Sequence, residues 1–149
     1  MKFSEVLKIK FLSFFRDIFV YHTSSLEFRA KVIASVIAIK YGINECEEKI
    51  LEELAYKTYK DDKARSELLI QVTKEYISKI IEKNELDINS LIRNIDTTLK
   101  SSKRLVYKIN IKELKKFLVC SEDNEEIHTI QKRIIEFLQL EIKEYSKSR

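Results

Sequence analysis

The sequence of 149 residues contains no proline and no tryptophan, and its single glycine is Gly42. Chains rich in β-strands normally need several prolines and glycines, because these residues preset or permit the backbone angles of tight turns. Their scarcity excludes most β and α/β architectures. Glu, Lys and Leu are abundant and favour helices, whereas the many isoleucines are interpreted as core filling. The composition therefore predicts an all-α fold.

Cysteines and targeting signals are also sparse. Cys46 and Cys120 are far apart and belong to no CxxC or Cys/His cluster, so we expect reduced core residues rather than a disulfide. No signal peptide is visible, and charges such as Lys8, Lys10 and Arg16 interrupt the apolar N-terminal segment, which argues against a transmembrane span. These features predict a cytoplasmic protein, with peripheral membrane association left open.

The length and charge pattern suit one domain. Hydrophobic residues make up 44% of the chain and charged residues 35%, as expected for a packed core under a charged surface. No linker or low-complexity segment divides the sequence. We expect a single helical domain over residues 1–149, in which an aromatic N-terminal helix (1–22) packs on or projects from a core (24–140).

Helix starts are marked by capping residues, several of them three positions before a glutamate. The predicted starts are Ser24, Asn44, Asp61 or Asp62, Asp87 and Asp123. Apolar residues at helical spacing predict about seven helices, over residues 1–21, 25–41, 45–59, 63–83, 88–100, 102–120 and 124–138. The second is apolar almost all round and should occupy the centre of the bundle. Asn110 leaves open whether the sixth is one helix or two.

Residues 29–59, RAKVIASVIAIKYGINECEEKILEELAYKTY, place an apolar helix before Gly42, then a glutamate-rich helix start and a second apolar helix. Gly42 fits the left-handed position after a helix C-terminus. The stretch from Arg29 to Ser78, which begins with this pattern, resembles the TerB-like family, which includes tellurite-resistance helical proteins and the N-terminal domain of a membrane-anchored DnaJ-type co-chaperone. A weaker copy over residues 108–140 implies an internal two-fold repeat. Tyr41 and Cys120 replace the family's paired aspartates, so the resemblance implies the fold without its metal.

Residue patterns typical of catalysis are not found in the sequence. His22 and His128 are the two histidines, and neither has the spacing of a metal site. We expect His128 to be a solvated surface residue. A single glycine cannot form a phosphate-binding loop, and no Ser/His/Asp or Cys/His constellation can be argued. We therefore expect a non-enzymatic interaction module without metal or cofactor.

A basic run over residues 100–116 contains seven Lys or Arg residues and one acid, Glu113. On a single helix, five of the cations would form a stripe opposite a buried face that includes Tyr107. The stripe consists of Arg104, Lys108, Lys112, Lys115 and Lys116. It is a candidate for binding an anionic protein or lipid surface. Nucleic acid is less favoured, because arginine is scarce and no aromatic interleaves with the basic side. A solvated lysine-rich face is the alternative.

The aromatic N-terminal segment is the second candidate site. Its apolar residues occupy more of the helix circumference than one packed stripe requires. We assign Phe11, Phe15 and Phe19 to binding an unidentified protein partner or a second copy of the chain. Packing within the core and insertion into a membrane interface are the alternatives. The predicted function is protein binding, with peripheral membrane association and, less favoured, nucleic-acid binding as alternatives.

Overall fold

The structure, a computed structural model, describes residues 24–38, 43–81 and 86–146. Every regular element within these ranges is helical, so the predicted all-α class is confirmed for them. The α-helices are α1 (Ser24–Ile37), α2 (Glu45–Thr58), α3 (Lys63–Ile81), α4 (Ile88–Ser101), α5 (Ile111–Leu114) and α6 (Glu125–Ser146). Two 3₁₀ helices, η1 (Lys103–Lys108) and η2 (Lys115–Ser121), flank α5.

Several sequence predictions concern residues outside these ranges. The partner-binding residues Phe11, Phe15 and Phe19 lie outside the described residues, as does the predicted helix over 1–21. The same holds for Gly42 and for Tyr41. These assignments stay predictions from the sequence.

The start of α2 is fixed by a reciprocal capping box, as the sequence predicts. The side chain of Asn44 accepts a hydrogen bond from the Glu47 backbone N–H at 2.8 Å. The Glu47 carboxylate accepts in return from the Asn44 backbone N–H at 3.2 Å. Two N–H groups that the helix itself cannot satisfy are thereby paired.

Other helix starts use single side-chain caps. The Asp62 carboxylate accepts a hydrogen bond from the Arg65 backbone N–H at 3.0 Å. The Asp87 carboxylate accepts one from the Ser90 backbone N–H at 2.8 Å. The cap predicted at Asp123 is wrong by one position, because Asn124 accepts from the Ile127 N–H at 3.2 Å. From there α6 continues to Ser146, well beyond the predicted end at residue 138.

Helix α1 is the centre of the bundle, as its all-round apolar sequence predicts. Its residues from Val32 to Ile37 are all buried, and it packs against α3, α4, α6 and η1. The hydrophobic cluster around it includes side chains from all six α-helices and from both 3₁₀ helices. Burial of this apolar area is the main favourable term in folding.

The segment predicted as a helix over 102–120 is divided into η1, α5 and η2. Asn110 caps α5 by accepting a hydrogen bond from the Glu113 N–H at 3.2 Å. Of the two possibilities left open by the sequence, one continuous helix or a break at Asn110, the structure has the break. In η1, Leu105 and Val106 are buried, whereas Tyr107 is 55% exposed. The prediction that Tyr107 is buried is therefore wrong. A 3₁₀ helix turns by about 120° per residue rather than 100°, so an α-helical projection misplaces its side chains.

The two cysteines form a disulfide between the first turn of α2 and η2, with 5.7 Å between their Cα atoms. The prediction of reduced cysteines is wrong for this structure, because packing of α2 against η2 brings Cys46 to Cys120. The predicted cytoplasmic location relied in part on reduced cysteines, and that part of the argument no longer holds. Among the helices described, none combines the length and the apolar character needed to cross a bilayer.

A buried polar network joins η2, α6 and α1. The Ser121 hydroxyl donates to the Gln131 side-chain oxygen at 2.6 Å, and the Gln131 amide donates to the Val36 carbonyl at 3.0 Å. Nδ1 of His128 lies 3.1 Å from both the Ser121 hydroxyl and the Leu118 carbonyl. His128 is thus half-buried and hydrogen-bonded, rather than the solvated residue expected from the sequence.

Candidate anion-binding segment and cleft

The five residues of the predicted basic stripe are distributed over three short helices. Arg104 and Lys108 belong to η1, Lys112 to α5, and Lys115 and Lys116 to η2. The single helical face predicted for them is therefore wrong, because the backbone breaks at residues 109–110. Lys108 is half-buried and the other four are exposed. We call residues 103–116 the basic segment.

Glu113, the acid within the basic segment, is buried and paired with two lysines. Its carboxylate oxygens lie 2.6 Å from Lys57 Nζ of α2 and 2.7 Å from Lys116 Nζ of η2. Hydrogen bonds from Lys116 and Lys57 hold the pKa of the Glu113 carboxyl below its usual value. One of the five stripe residues is thus already engaged inside the protein.

The other four cations of the stripe form no ion pair with a residue that the structure describes. These are Arg104, Lys108, Lys112 and Lys115. Two exposed apolar side chains lie in the same part of the chain, Tyr107 at 55% and Val119 at 61% exposure. Tyr107, predicted to lie on the buried face opposite the stripe, is thus an exposed aromatic residue within the basic segment. Apart from Lys116, the cations of the stripe thus lack a carboxylate partner within the described ranges, and the basic segment also exposes the Tyr107 ring.

Beside the basic segment, a cleft lies between α1, the end of α2, η1 and the start of α5. Its enclosed volume is about 20 Å³, which is room for about one water molecule. Four aliphatic and four polar side chains line it: Val32, Ile33, Leu54 and Leu114, with Arg29, Thr58, Lys108 and Asn110. The cleft is amphipathic, and both of its charged residues are cations.

Arg29 is the least expected of these residues, because it is a half-buried charge without a counter-ion among the residues that the structure describes. Its guanidinium carbon lies 5.6 Å from the centroid of the Tyr59 ring. Its Nε atom is buried and has no hydrogen-bond partner, and the guanidinium forms no ion pair with any described residue. Burial raises the pKa of Tyr59, so the ring under the cation is neutral. Charged side chains in such positions are normally paired, since removing a charge from water is costly.

The remaining polar groups supply further hydrogen-bonding capacity. Lys108 contributes an ammonium, the second cation of the cleft, which has no carboxylate partner among the described residues. The Asn110 side-chain oxygen is occupied by the Glu113 N–H, which leaves the amide N–H groups as donors. The Thr58 hydroxyl donates to the Leu54 carbonyl at 2.7 Å and keeps its oxygen as an acceptor. Three of the four polar residues thus offer donors, as an anion requires.

The sequence identified Lys108 as a candidate but not the other polar residues of the cleft. In the sequence, Arg29 belongs to the apolar central helix, although a single arginine within such a helix is itself a signal. Asn110 is marked by the sequence only as a possible helix cap, a role that it also performs. Thr58 lies in the last turn of α2, and nothing in the sequence marks it as a lining residue.

A separate group of titratable side chains ties α4 to α6. The Tyr145 hydroxyl donates to Asp96 at 2.7 Å, and Lys100 lies 3.2 Å from the other Asp96 oxygen. The buried Glu141 carboxyl is within hydrogen-bonding reach of Asp96. Burial, followed by the neighbouring Asp96, raises the pKa of Glu141 to about 7, whereas the Tyr145 hydrogen bond lowers that of Asp96. These contacts hold α4 against α6, so the group has a structural role.

Within the described ranges, no set of three His, Cys, Asp or Glu side chains is arranged to hold a metal ion. Comparison with known proteins finds no matching family model, no matching curated protein and no matching solved structure. The TerB-like resemblance therefore stays a prediction, and functional inference depends on the site itself.

Proposed function

We propose that the chain is a non-enzymatic interaction module that binds an acidic protein partner through the basic segment and the adjoining cleft. The observation that carries the proposal is that Arg29 and Lys108 line one cleft and neither is neutralised by a described residue. An acidic side chain at the mouth of the cleft would supply a counter-charge that the described residues do not provide. The exposed cations Arg104, Lys112 and Lys115 would attract an acidic surface over a longer range.

A protein partner is favoured over a membrane because the charge is associated with a concave, partly apolar cleft. A single acidic side chain can approach the mouth of such a cleft, whereas a bilayer presents a broad surface. Exposed Tyr107 and Val119 beside the lysines favour peripheral membrane association as the second candidate function. Phe11, Phe15 and Phe19 remain the proposed additional contact to a partner or to a second copy, and the TerB-like architecture remains the proposed framework.

The proposal is tested with an acidic probe that has no terminal carboxylate, an N-acetylated and C-amidated decaglutamate. We expect the full chain to bind it with an affinity that falls as salt is raised, because exposed charges are screened. The triple variant Arg104→Gln, Lys112→Gln and Lys115→Gln should bind at least fivefold more weakly. Fluorescence anisotropy with a labelled probe gives both affinities.

The control removes the same charge elsewhere. Lys49, Lys132 and Lys143 are exposed on α2 and α6. Changing all three to glutamine should leave binding within about twofold of the original. Equal losses in the two triple variants would contradict the proposal, since binding would then follow net charge alone. Binding to phosphatidylserine vesicles without binding to decaglutamate would also contradict it and would favour the membrane alternative.

A further inference from the structure

The cleft between α1, α2 and the basic segment combines a very small volume with two cations. Arg29 and Lys108 both line it, and neither forms an ion pair with a residue that the structure describes. We infer that the cleft binds one monatomic anion, a halide such as chloride, which neutralises these two side chains. This inference goes beyond the proposed function, because the ion binds to the chain without a partner.

The charge of the lining favours an anion over a water molecule. The described residues that line the cleft include two cations and no acid. Arg29 and Lys108 are both half-buried, so part of their hydration is lost and their mutual repulsion is less screened than in bulk water. A water molecule between them would accept hydrogen bonds but would carry no counter-charge. A halide would do both.

The hydrogen-bond donors of the lining also favour an anion. The Arg29 Nε atom is buried and has no hydrogen-bond partner, and the Tyr59 ring lies 5.6 Å from the guanidinium carbon. The Asn110 side-chain oxygen already accepts from the Glu113 N–H, so its amide group offers only donors to the cleft. The Lys108 ammonium adds further donors. A spherical ion accepts hydrogen bonds from any direction, so these donors need no matched geometry to bind it.

The size of the cleft selects a single-atom anion. Its volume of about 20 Å³ is slightly more than the ~10–15 Å³ that one water molecule requires. Carboxylate, phosphate and sulfate groups contain several non-hydrogen atoms and are too large for it, whereas chloride and bromide are single atoms slightly larger than water. The rest of the wall is aliphatic and buried, and it keeps competing water from the bound ion: Val32, Ile33, Leu54 and Leu114.

The main experiment uses the full chain unchanged and sodium chloride as the probe. The chlorine NMR signal of free chloride broadens when the ion exchanges with a protein site, because the bound ion tumbles slowly in an asymmetric environment. We expect an excess linewidth that rises in proportion to protein concentration. A chloride linewidth equal to that of buffer alone would overturn the inference.

Two competitors test the size limit. Sodium bromide at the same concentration as chloride should lower the excess linewidth by about half, because bromide also fits the cleft. Sodium sulfate at equal ionic strength should lower it by less than about one fifth, because sulfate is too large to enter. Sulfate that competes as well as bromide would place the chloride on an open cationic surface and would overturn the enclosed site.

A matched pair of variants then locates the ion. Lys108→Gln should lower the excess linewidth at least threefold, with circular dichroism as the control for folding. Lys103→Gln removes the same charge from an exposed position of the same 3₁₀ helix, outside the cleft lining, and should leave the linewidth nearly unchanged. Equal losses in the two variants would mean that chloride follows net charge, and they would overturn the location.

The unchanged chain decides the location if Lys108→Gln does not fold. In a crystal grown with sodium bromide, we expect an anomalous-scattering peak in the cleft, within hydrogen-bonding distance of the Arg29 guanidinium. A water molecule at that position, without anomalous signal, would overturn the inference.

Failure of this inference differs from failure of the proposed function, because the halide experiments contain no decaglutamate. If decaglutamate binds and chloride is not broadened, the basic segment binds acidic partners and the cleft holds no ion. If chloride binds in the cleft and decaglutamate does not bind, the halide alone neutralises Arg29 and Lys108, and the proposed recruitment of an acidic partner fails.

Discussion

Cys46 and Cys120 are 74 positions apart in the sequence and are joined by a disulfide that connects α2 to η2. The bond closes a loop that contains α3, α4, η1 and α5. A covalent link across so long a loop removes many conformations from the unfolded chain, so it stabilises the fold relative to the reduced protein. It also joins the two elements whose lysines, Lys57 and Lys116, pair with Glu113.

Removing the disulfide should lower stability measurably. For the double variant Cys46→Ser and Cys120→Ala we expect a loss of about 2–4 kcal/mol in the free energy of unfolding, from the loop-closure entropy of the unfolded chain. Urea denaturation of the variant, and of the original chain with and without reductant, measures this loss. The reduced original chain should resemble the variant. Two titratable thiols in the folded, unreduced protein would contradict the disulfide.

A second prediction concerns Gln131, which is fully buried. Gln131→Leu removes its bond to the Val36 carbonyl, a group in the last turn of α1 that the helix cannot satisfy itself. It also leaves the buried Ser121 hydroxyl without that acceptor. We expect a destabilisation of about 1–3 kcal/mol in urea denaturation. Gln139→Leu, at an exposed position of the same helix, is the control and should change stability by less than about 0.5 kcal/mol. Equal effects would argue against the network.

The third prediction is a pH dependence caused by Glu141. Its pKa in the folded protein is raised from 4.5 to about 7, so the folded state holds a proton that the unfolded state has released. The stabilising contribution of this group is full below about pH 4.5 and is lost as the pH rises through about 7. Glu141→Gln should remove that part of the decline, because the amide cannot ionise and still donates to Asp96.

The measurement is the unfolding free energy of the original chain and of Glu141→Gln at intervals between pH 4.5 and 8. Above pH 7 the variant should be the more stable of the two. The control is Glu136→Gln, an exposed position of the same helix, which should keep the original pH profile. A Glu141→Gln profile that parallels the original would show that this carboxyl ionises normally in the folded state.

The fourth prediction concerns Phe15 and Phe19, which lie outside the described residues. From the excess of apolar positions in the N-terminal sequence, we expect the double variant Phe15→Ser and Phe19→Ser to keep nearly the original thermal midpoint. It should also lose self-association or partner binding, since each buried phenylalanine contributes about 1.5–3 kcal/mol to an interface. Differential scanning fluorimetry and size-exclusion chromatography measure the two properties. A large fall in the thermal midpoint would assign these rings to the core instead.

Most of the described fold follows from local sequence signals. Asn44 and Asp87 are short polar residues directly before helical periods, and each caps its helix as predicted. The small and apolar residues of α1 predict its central place, because such a helix has no face for solvent. These signals act within one or two turns of the chain, so they can be read without knowing the tertiary contacts.

The features that could not be predicted from the sequence depend on tertiary geometry or on a change of helix type. An α-helical period predicts that Tyr107 is buried, but the residue lies in a 3₁₀ helix, whose period differs, and it is exposed. Pairing of Cys46 with Cys120 depends on how α2 packs against η2, which neither spacing nor composition specifies. For the same reason the cleft was not predicted, since Arg29 and Lys108 come from distant parts of the chain.

Glu113 acts as a counter-ion built into the protein. By pairing with Lys116 of the basic segment and with Lys57 of α2, its single negative charge lowers the number of cations in this region that can bind an acidic partner in place of salt anions. The dependence of affinity on salt concentration therefore reflects the number of cations that bind the partner, and this one buried carboxylate lowers that number. Neutralising it would release both lysines to solvent and make binding of an acidic partner more strongly dependent on ionic strength.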